Sequence, residues 1–174
     1  MTRPPTPLPA WRERVELLDV ILVVTPSGGS EVTVRLGVPG GERFTGQGAG
    51  LGHREGTMRA AVDATLRALT PLCDDRLRLE LRGVRSMRAF DALLMIVALT
   101  ARVVTDSDSD EESALGSDRY RLIGTVAAPE EDLVRGTVMA VLDAANRVVE
   151  GYALIPEVGL RAGGESASPA NPGA

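Results

Sequence analysis

The stretch that decides the fold is Tyr120–Val149, with the sequence YRLIGTVAAPEEDLVRGTVMAVLDAANRVV. It predicts a strand, a turn at Ala128-Pro129, and a helix that begins with a proline and three acids, which suit the positive end of the helix dipole. The inward face of this helix is predicted to consist mainly of small residues, namely Leu133, Gly136, Thr137, Ala140, Val141, Ala144 and Val148. Such a face permits close packing of the helix on a sheet.

A weaker copy of this stretch occurs earlier in the chain, between Arg43 and Leu69. In the strands, Arg43–Gly46 aligns with Arg121–Gly124. In the helices, the matches are Gly56-Thr57 with Gly136-Thr137, Ala60 with Ala140, Asp63-Ala64 with Asp143-Ala144, and Arg67 with Arg147. The spacing between the two blocks differs by two residues, which one loop can absorb. We therefore predict an internal repeat.

Two further strands are predicted to precede each copy. In the first half they are Trp11–Val24, which ends in β-branched residues, and Glu31–Leu36, which alternates polar and apolar residues. In the second half, Arg76–Arg82 alternates in the same way, Gly83–Asp91 is predicted as a turn, and Ala92–Val104 is the longest strand. The sequence thus predicts an α+β fold of two pseudo-twofold-related strand-strand-strand-helix units, with the helices on one face of the sheets.

The domain boundaries follow from composition. Residues 13–155 are predicted to form a single α+β domain, with the repeats at about 15–70 and 76–150. Residues 1–12 are rich in proline and residues 156–174 are rich in glycine, serine, proline and alanine, so both segments are predicted to be disordered.

The longest predicted strand is apolar on both faces. Leu93, Met95, Val97 and Leu99 lie on one face, and Leu94, Ile96 and Ala98 lie on the other. In an antiparallel sheet with helices on one side, the second apolar face also needs a cover. Because the simplest cover is a second copy of the chain, we predict a homodimer.

The composition argues against several function classes. Only 3% of the residues are aromatic and the net charge is −5, which argues against nucleic-acid binding. Met1–Pro9 lacks the apolar core of a signal peptide, and Ala92–Ala101 is about half as long as a membrane helix. We therefore expect a cytoplasmic protein without membrane contact. The lone Cys73 excludes an internal disulfide and is predicted to be a small buried residue.

The third strand is predicted at Arg43–Gly48, and the glycine-rich segment Gly46–Gly52 is predicted to lead from it through a loop to a helix. The role of this segment has three interpretations. A phosphate-binding loop would need a Gly-Lys-Ser/Thr ending or a properly placed G-x-G-x-x-G, and neither is present. The glycines could instead let the backbone approach a small ligand or a partner subunit. They could also form only a tight turn.

The sequence predicts no catalytic residues, no metal site and no cofactor. His53 is the only histidine and has no second ligand type nearby, and no G-x-S-x-G motif accompanies it. Asp63 and Asp143 are equivalent in the repeat, but an arginine four residues after each predicts a helix salt bridge. The acidic run Asp106–Glu112 lacks the spacing of a calcium loop and is predicted to be solvated. A basic stretch, predicted as a solvated face or a partner contact, comprises Arg76, Arg78, Arg82, Arg85 and Arg88.

Several segments together carry a resemblance to a known family. Gly46–Gly50 has the pattern Gly-x-Gly-x-Gly before a helix that contains Val62-Asp63-Ala64, and Asp91-Ala92 precedes a strand. Gly136–Arg147 follows the pattern Ala-Ser-x-x-Ala-x-x-x-Ala-x-Asn-Arg, with glycine and threonine at the first two positions. In these features the chain, over about residues 15–149, resembles the C-terminal regulatory domain of α-isopropylmalate synthases, the leucine-sensing dimerisation module.

The chain also departs from that family. A proline directly after the glycines is absent, and Leu51–Gly56 stands there instead. The catalytic barrel of a synthase, with its metal-binding histidines, is missing from this sequence. The resemblance therefore implies a free-standing relative of the sensor and not a synthase.

By this resemblance we expect a non-catalytic, homodimeric regulatory module that binds a small apolar metabolite of the amino acid or 2-oxo acid type. The residues predicted to bind it are Gly46, Gly48, Gly50, Ala127, Ala128 and Pro129. The alternative is a structural or protein-interaction module without a ligand, and an enzyme is a third possibility. A closed cavity at the two turns would favour the sensor, a flat filled interface would favour assembly, and a cleft with convergent titratable groups would favour an enzyme.

Overall fold

The computed structural model describes residues 15–38, 41–73, 77–104 and 119–152. The elements in chain order are β1 (Glu16–Val24), β2 (Gly29–Gly37), β3 (Arg43–Leu51), α1 (Arg54–Leu69), β4 (Leu77–Ala89), β5 (Ala92–Val103), β6 (Arg119–Ala128) and α2 (Leu133–Tyr152). Short 3-10 turns, Thr70–Cys73 and Glu130–Asp132, follow α1 and precede α2. The predicted N-terminal arm, the acidic run and the C-terminal tail lie outside the described residues.

The elements form two units with the order strand-strand-strand-helix, which confirms the predicted α+β fold. Each unit has a three-stranded antiparallel sheet, β1-β2-β3 in the first and β4-β5-β6 in the second. Helix α1 packs on β2 and β3, and α2 packs on β5 and β6. The helices also contact each other, while α1 reaches β4 and α2 reaches β1. This reciprocal arrangement is compatible with a pseudo-twofold relation between the units.

The core lies between the inner faces of the sheets and the two helices. Val32, Val34 and Leu36 of β2 are fully buried, as the alternation in this strand predicts. Each such side chain contributes roughly 1.5–3 kcal/mol when it leaves water. The inward face of α2 is also as predicted, with Gly136, Thr137, Ala140, Val141 and Ala144 buried and Leu133 and Val148 half-buried.

Two segments that were predicted as loops are strands. The predicted strand Arg43–Gly48 is confirmed, but the loop predicted after it is wrong, because β3 continues to Leu51 and pairs with β2 along its whole length. The predicted turn at Gly83–Asp91 is also wrong, since β4 pairs with β5 as far as Ala89. A register shift between Leu81 and Gly83 places Arg82 in a β-bulge. In both segments, pairing with a neighbouring strand outweighs the turn preference of glycine.

Helix α2 begins later than the sequence predicts. The predicted start is Pro129, but Glu130–Asp132 form a 3-10 turn and the α-helix begins at Leu133. The N–H of Asp132 donates to the carbonyl of Pro129 at 3.1 Å, which closes this tighter turn. The three acids therefore precede the α-helix instead of occupying its first turn.

Glycines let both helices approach their sheets closely, and this contact changes the predicted repeat. A Cβ at Gly46 would lie 1.9 Å from the carbonyl oxygen of Ala64, and a Cβ at Gly124 would lie 1.9 Å from that of Ala140. If Gly46 corresponds to Gly124, Ala64 corresponds to Ala140 by this contact. The predicted helix match, Ala60 with Ala140, is displaced from that by one helical turn. The predicted strand match of Gly46 with Gly124 and the predicted helix match of Ala60 with Ala140 therefore cannot both be correct.

Candidate functional site

The six residues predicted to bind a ligand lie on β3 and at the end of β6. They are Gly46, Gly48, Gly50, Ala127, Ala128 and Pro129. A Cβ at Gly48 would lie 2.1 Å from the carbonyl oxygen of Ala60, and one at Gly50 would lie 2.3 Å from that of Gly56. The backbone of α1 therefore fills the space over the glycines. Ala127 and Pro129 are exposed and Ala128 is buried. Ligand binding by these six residues stays a prediction.

The two strand-to-helix junctions meet on the surface. His53 caps α1, since its Nδ1 accepts a hydrogen bond from the N–H of Gly56 at 3.1 Å. Arg54, the first residue of α1, pairs with Glu130 in the turn before α2. Arg88 of β4 donates to the same carboxylate, with 2.8 Å between Nη2 and Oε2. The hydrogen bond and charge of Arg54, together with the charge of Arg88, lower the pKa of Glu130.

A cleft of about 510 Å³ lies between α1 and β4. It is lined by Arg54, Glu55, Met58 and Arg59 from α1 and by Arg82, Gly83, Val84, Arg85 and Ser86 from β4. Arg59 pairs with Glu55 at 3.0 Å, and the Nε of Arg82 donates to Thr100 Oγ1 at 2.7 Å. Arg85 has no hydrogen bond or ion pair with any other described residue. The side chains of Arg54, Glu55 and Arg59 thus line the helix wall, whereas Arg85 pairs with Ile96 and Arg82 bonds to Thr100 on the side of the sheet that points away from the helices.

The lining of the cleft suits binding better than acid–base chemistry. Arginine keeps its proton at any physiological pH, so the guanidinium groups of Arg54 and Arg59 on the helix wall act as fixed donors and not as proton carriers. Met58 and Val84 are buried and supply apolar surface beside the arginines. Arg82, which lies in the bulge, and Gly83 belong to the strand wall, and a Cβ at Gly83 would meet nothing within 4 Å.

The sequence identified only part of this cleft. Arg82 and Arg85 belong to the predicted basic stretch, but no sequence pattern distinguishes Arg54 and Arg59. They precede Arg82 by more than twenty residues, and only the packing of α1 against β4 brings the two groups together. The signal in the sequence was the excess of arginine in β4 in a chain whose net charge is negative.

The other candidate residues have structural contacts. The carboxylate of Asp143 accepts from the N–H of Thr125 at 3.0 Å, and Arg67 donates to the carbonyl of Gln47 at 3.0 Å, so the predicted pair of Arg67 with Asp63 is not formed. The partner predicted for Asp143 is Arg147, whose side chain lies outside the described residues. Cys73 is buried, and its burial raises its pKa to about 11, which makes its thiol unreactive at neutral pH.

The central strands of the two sheets differ in the polarity of their outer faces, which point away from the helices. On the central strand β2 the outer residues are Glu31, Thr33 and Arg35, whereas on the central strand β5 they are Leu94, Ile96 and Ala98. Beside these apolar residues, Met87 of β4 and Ile123 of β6 are 52% and 69% exposed. We call the set Met87, Leu94, Ile96, Ala98, Ile123 and Ala127 the apolar sheet face; Arg85 and Thr125, which pair with Ile96 from the two neighbouring strands, lie on the same side.

Comparison with known proteins identifies no family. No protein-family model matches this sequence, and no curated protein matches it significantly. The resemblance to the regulatory domain of α-isopropylmalate synthases therefore stays a prediction. Within the described ranges, no helix has the length and apolar character needed to cross a membrane, and His, Cys, Asp and Glu side chains form no group of three that could hold a metal ion.

Proposed function

We propose that this protein is a non-catalytic, homodimeric regulatory module of the cytoplasm, which binds a small metabolite of the amino acid or 2-oxo acid type. The single observation that carries the proposal is the apolar sheet face. It supports a dimer in which the second sheets of two copies pack against each other.

The composition of this face is unusual for a surface exposed to water. A central strand that faces solvent normally places polar residues outward, as β2 does. Strand β5 instead places three aliphatic residues outward, and exposed Met87 and Ile123 extend the patch to both neighbouring strands. A contiguous apolar patch of this kind typically marks a protein interface.

The dimensions of the second sheet also suit a dimer. A strand of about twelve residues spans roughly 40 Å, and three strands span roughly 14 Å. A side-chain surface with this footprint exposes several hundred Å², which is the scale of the ~800 Å² per partner buried in a standard interface. A twofold axis through β5 would place the same residues of both copies against each other.

Two observations support the effector part of the proposal. The junction after β3 and the turn after β6 meet at the contact of Arg54 with Glu130, which brings the two ends of the predicted site together. Beside this contact, the cleft of about 510 Å³ has the volume of a small-molecule site. An effector bound there would change the dimer equilibrium only if it bound one state more tightly than the other.

The dimer is tested with one charged substitution on each sheet. Ile123→Glu places a carboxylate on the apolar sheet face, and Thr45→Glu places the same charge at the matched position of the first sheet, where Thr45 is exposed. We expect sedimentation equilibrium to show a dimer of the 18.3 kDa chain. Ile123→Glu should raise the dimer dissociation constant by at least about 100-fold, because it buries an unpaired charge. Thr45→Glu should leave the constant unchanged.

The same proteins distinguish the proposal from the alternative. If Ile123→Glu dissociates the dimer but no amino acid or 2-oxo acid at millimolar concentration raises the melting temperature, the assembly module without a ligand is favoured. A bound effector at about 100 times its dissociation constant should add roughly 2.7 kcal/mol of stability. If the wild-type chain is monomeric at micromolar concentration, the dimer proposal is wrong.

A further inference from the structure

The hairpin between β4 and β5 ends in a strained and fully exposed phenylalanine. Ala89 pairs with Ala92, so the turn consists of Phe90 and Asp91 alone. Phe90 has a φ of 58°, and it is the one non-glycine residue with a positive φ in the described part of the chain. A positive φ at only the first of two turn residues is typical of a type II′ turn, where that position normally holds glycine. Phenylalanine at this position therefore strains the folded chain.

The ring of Phe90 contributes no packing to the fold. The residue is 100% exposed, so its side chain packs on none of the described residues. Strain and exposure both disfavour a large aromatic residue at this position, and glycine would avoid both. A contact with another molecule accounts for the ring, because large aromatic side chains are common anchors of protein interfaces.

We propose that Phe90 is an anchor of the homodimer and that it docks on Gly83 and Ala98 of the partner copy. The inference rests on the proposed function, because it names a contact within the same dimer. Gly83 and Ala98 pair across β4 and β5 on the outer side of the second sheet. A Cβ at Gly83 would meet nothing within 4 Å, so these two small residues leave a shallow depression beside Ile96 and Ile123. A ring from the partner copy can fill it.

The layout of the outer face indicates which part of one copy meets which part of the other. Along β5 the outward residues are aliphatic as far as Ala98 and are followed by Thr100 and Arg102. The apolar part thus extends from Phe90 to Ala98, with Leu94 at its centre. A twofold axis that crosses the strands at Leu94 places this part against itself in the reversed direction. Because Phe90 and Ala98 are equally far from Leu94 along the chain, each Phe90 then lies over the partner's Ala98.

The charges of the second sheet favour this orientation. Arg78, Arg102 and Arg119 lie side by side at the end of the sheet far from the hairpin, since Arg102 pairs with both of the others. A twofold axis along the strands would place this row against the same row of the partner, and like charges that face each other oppose association. In the reversed orientation the row lies outside the overlap. The acid of the turn, Asp91, then lies near the partner's Arg85, one row from the depression.

The test is sedimentation equilibrium of the full chain and of Phe90→Gly, which removes the ring and also relieves the strain. We expect the dimer dissociation constant to rise by at least about tenfold. At concentrations where both proteins are monomeric, Phe90→Gly should not melt below wild type, because glycine adopts a positive φ freely. Val24→Ala is the control, because Val24 is 68% exposed on β1 and this substitution also removes exposed apolar surface. It should change the dissociation constant by less than about twofold.

A double-mutant cycle locates the docking site. Gly83→Leu fills the depression, and the free space at Gly83 lets the monomer accept the larger side chain. It should also raise the dissociation constant by about tenfold or more. Because both substitutions remove the same contact, the double variant should dissociate within about twofold of the weaker single variant. Independent sites would instead multiply the two effects.

Three results would overturn the inference. Phe90→Gly could leave the dissociation constant unchanged. It could lower the melting temperature of the monomer, which would give the ring a role in the fold. The effects of Phe90→Gly and Gly83→Leu could also multiply, which would place the two residues apart in the dimer.

The same measurements separate this inference from the proposed function. If Ile123→Glu dissociates the dimer while Phe90→Gly does not weaken it, this inference fails and the proposed dimer stands. If the wild-type chain is monomeric at micromolar concentration, both fail.

Discussion

The two units of the chain share an element order but differ in how closely the helix approaches its sheet. In the first unit Gly46, Gly48 and Gly50 all lie directly under the backbone of α1. In the second unit only Gly124 on β6 has this contact, and Val126 and Ala128 occupy the next inward positions. The two units thus share one glycine at the helix contact. In the first unit, three such glycines form a row along β3.

The outer faces differ even more, and this difference indicates where the units have separate roles. The first sheet places charged and hydroxyl side chains outward on its central strand, while the second sheet presents the apolar sheet face. The inner faces must satisfy the same packing in both units, so their pattern is constrained by stability. The outer faces are free to differ, and the second one has the composition of an interface.

The prediction with the largest expected effect compares the stability lost in each unit when the glycine at the helix contact is replaced. Gly46→Ala and Gly124→Ala each place a methyl group 1.9 Å from a helix carbonyl oxygen, so the helix must move by about 1 Å or more. We expect each substitution to lower the free energy of unfolding by about 3 kcal/mol or more. Urea denaturation followed by circular dichroism measures this change.

Gly83→Ala is the matched control for these variants. Gly83 also lies in a strand, but an added Cβ would meet nothing within 4 Å. We expect a change of less than about 1 kcal/mol, in the stabilising direction, because alanine restricts the unfolded chain. If Gly124→Ala is tolerated as well as Gly83→Ala, the close contact in the second unit is wrong and the two units differ more than we conclude.

A smaller loss of stability is expected from the hydrogen bond between a helix aspartate and the neighbouring edge strand. Asp143 of α2 accepts from the backbone of Thr125, whereas Asp63 of α1, with which the sequence matched it, makes no hydrogen bond with the described residues. Asp143→Ala should therefore lower the free energy of unfolding by about 1 kcal/mol. Asp63→Ala should change it by less than about 0.5 kcal/mol. Equal losses in urea denaturation would show that both aspartates act through the helix and not through the strand contact.

The strands and helices could be predicted wherever one face of an element is buried. Burial of one face explains both the alternation around Val32, Val34 and Leu36 and the face of small residues on α2. Such burial produces a periodic pattern that is visible in the sequence. The glycines of β3 were misread because the same residue suits a turn and a close helix contact. Only the packing of α1 distinguishes these uses.

The cleft could not be predicted for a different reason. Arg59 and the strand segment Arg82–Ser86 line one cleft only because α1 of the first unit reaches β4 of the second unit. No local sequence pattern predicts a contact between residues of two different units. The same reason explains why the sequence predicted Asp63 and Arg67 as a pair from their helical spacing, whereas Arg67 contacts Gln47 on the neighbouring strand.

The smallest expected effect tests the ionic contact that joins the units. Glu130 of the second unit accepts from Arg54 of the first and from Arg88 of the second, and these arginines lower its pKa. The carboxylate of Glu130 therefore takes up a proton at a higher pH in the unfolded chain than in the folded chain. The stability contributed by the carboxylate is present above the unfolded pKa of glutamate and is lost as the pH falls through the lower, folded pKa.

Glu130→Gln removes this titration while leaving the side chain nearly the same size. We expect wild type to melt slightly above Glu130→Gln at neutral pH and the difference to shrink as the pH is lowered through the acidic range. Added salt should also reduce the difference, because the contact is exposed. A difference that stays constant with pH would show that the two arginines hold the turn by hydrogen-bond geometry alone. In that case the contact between the units would not depend on the charge of Glu130.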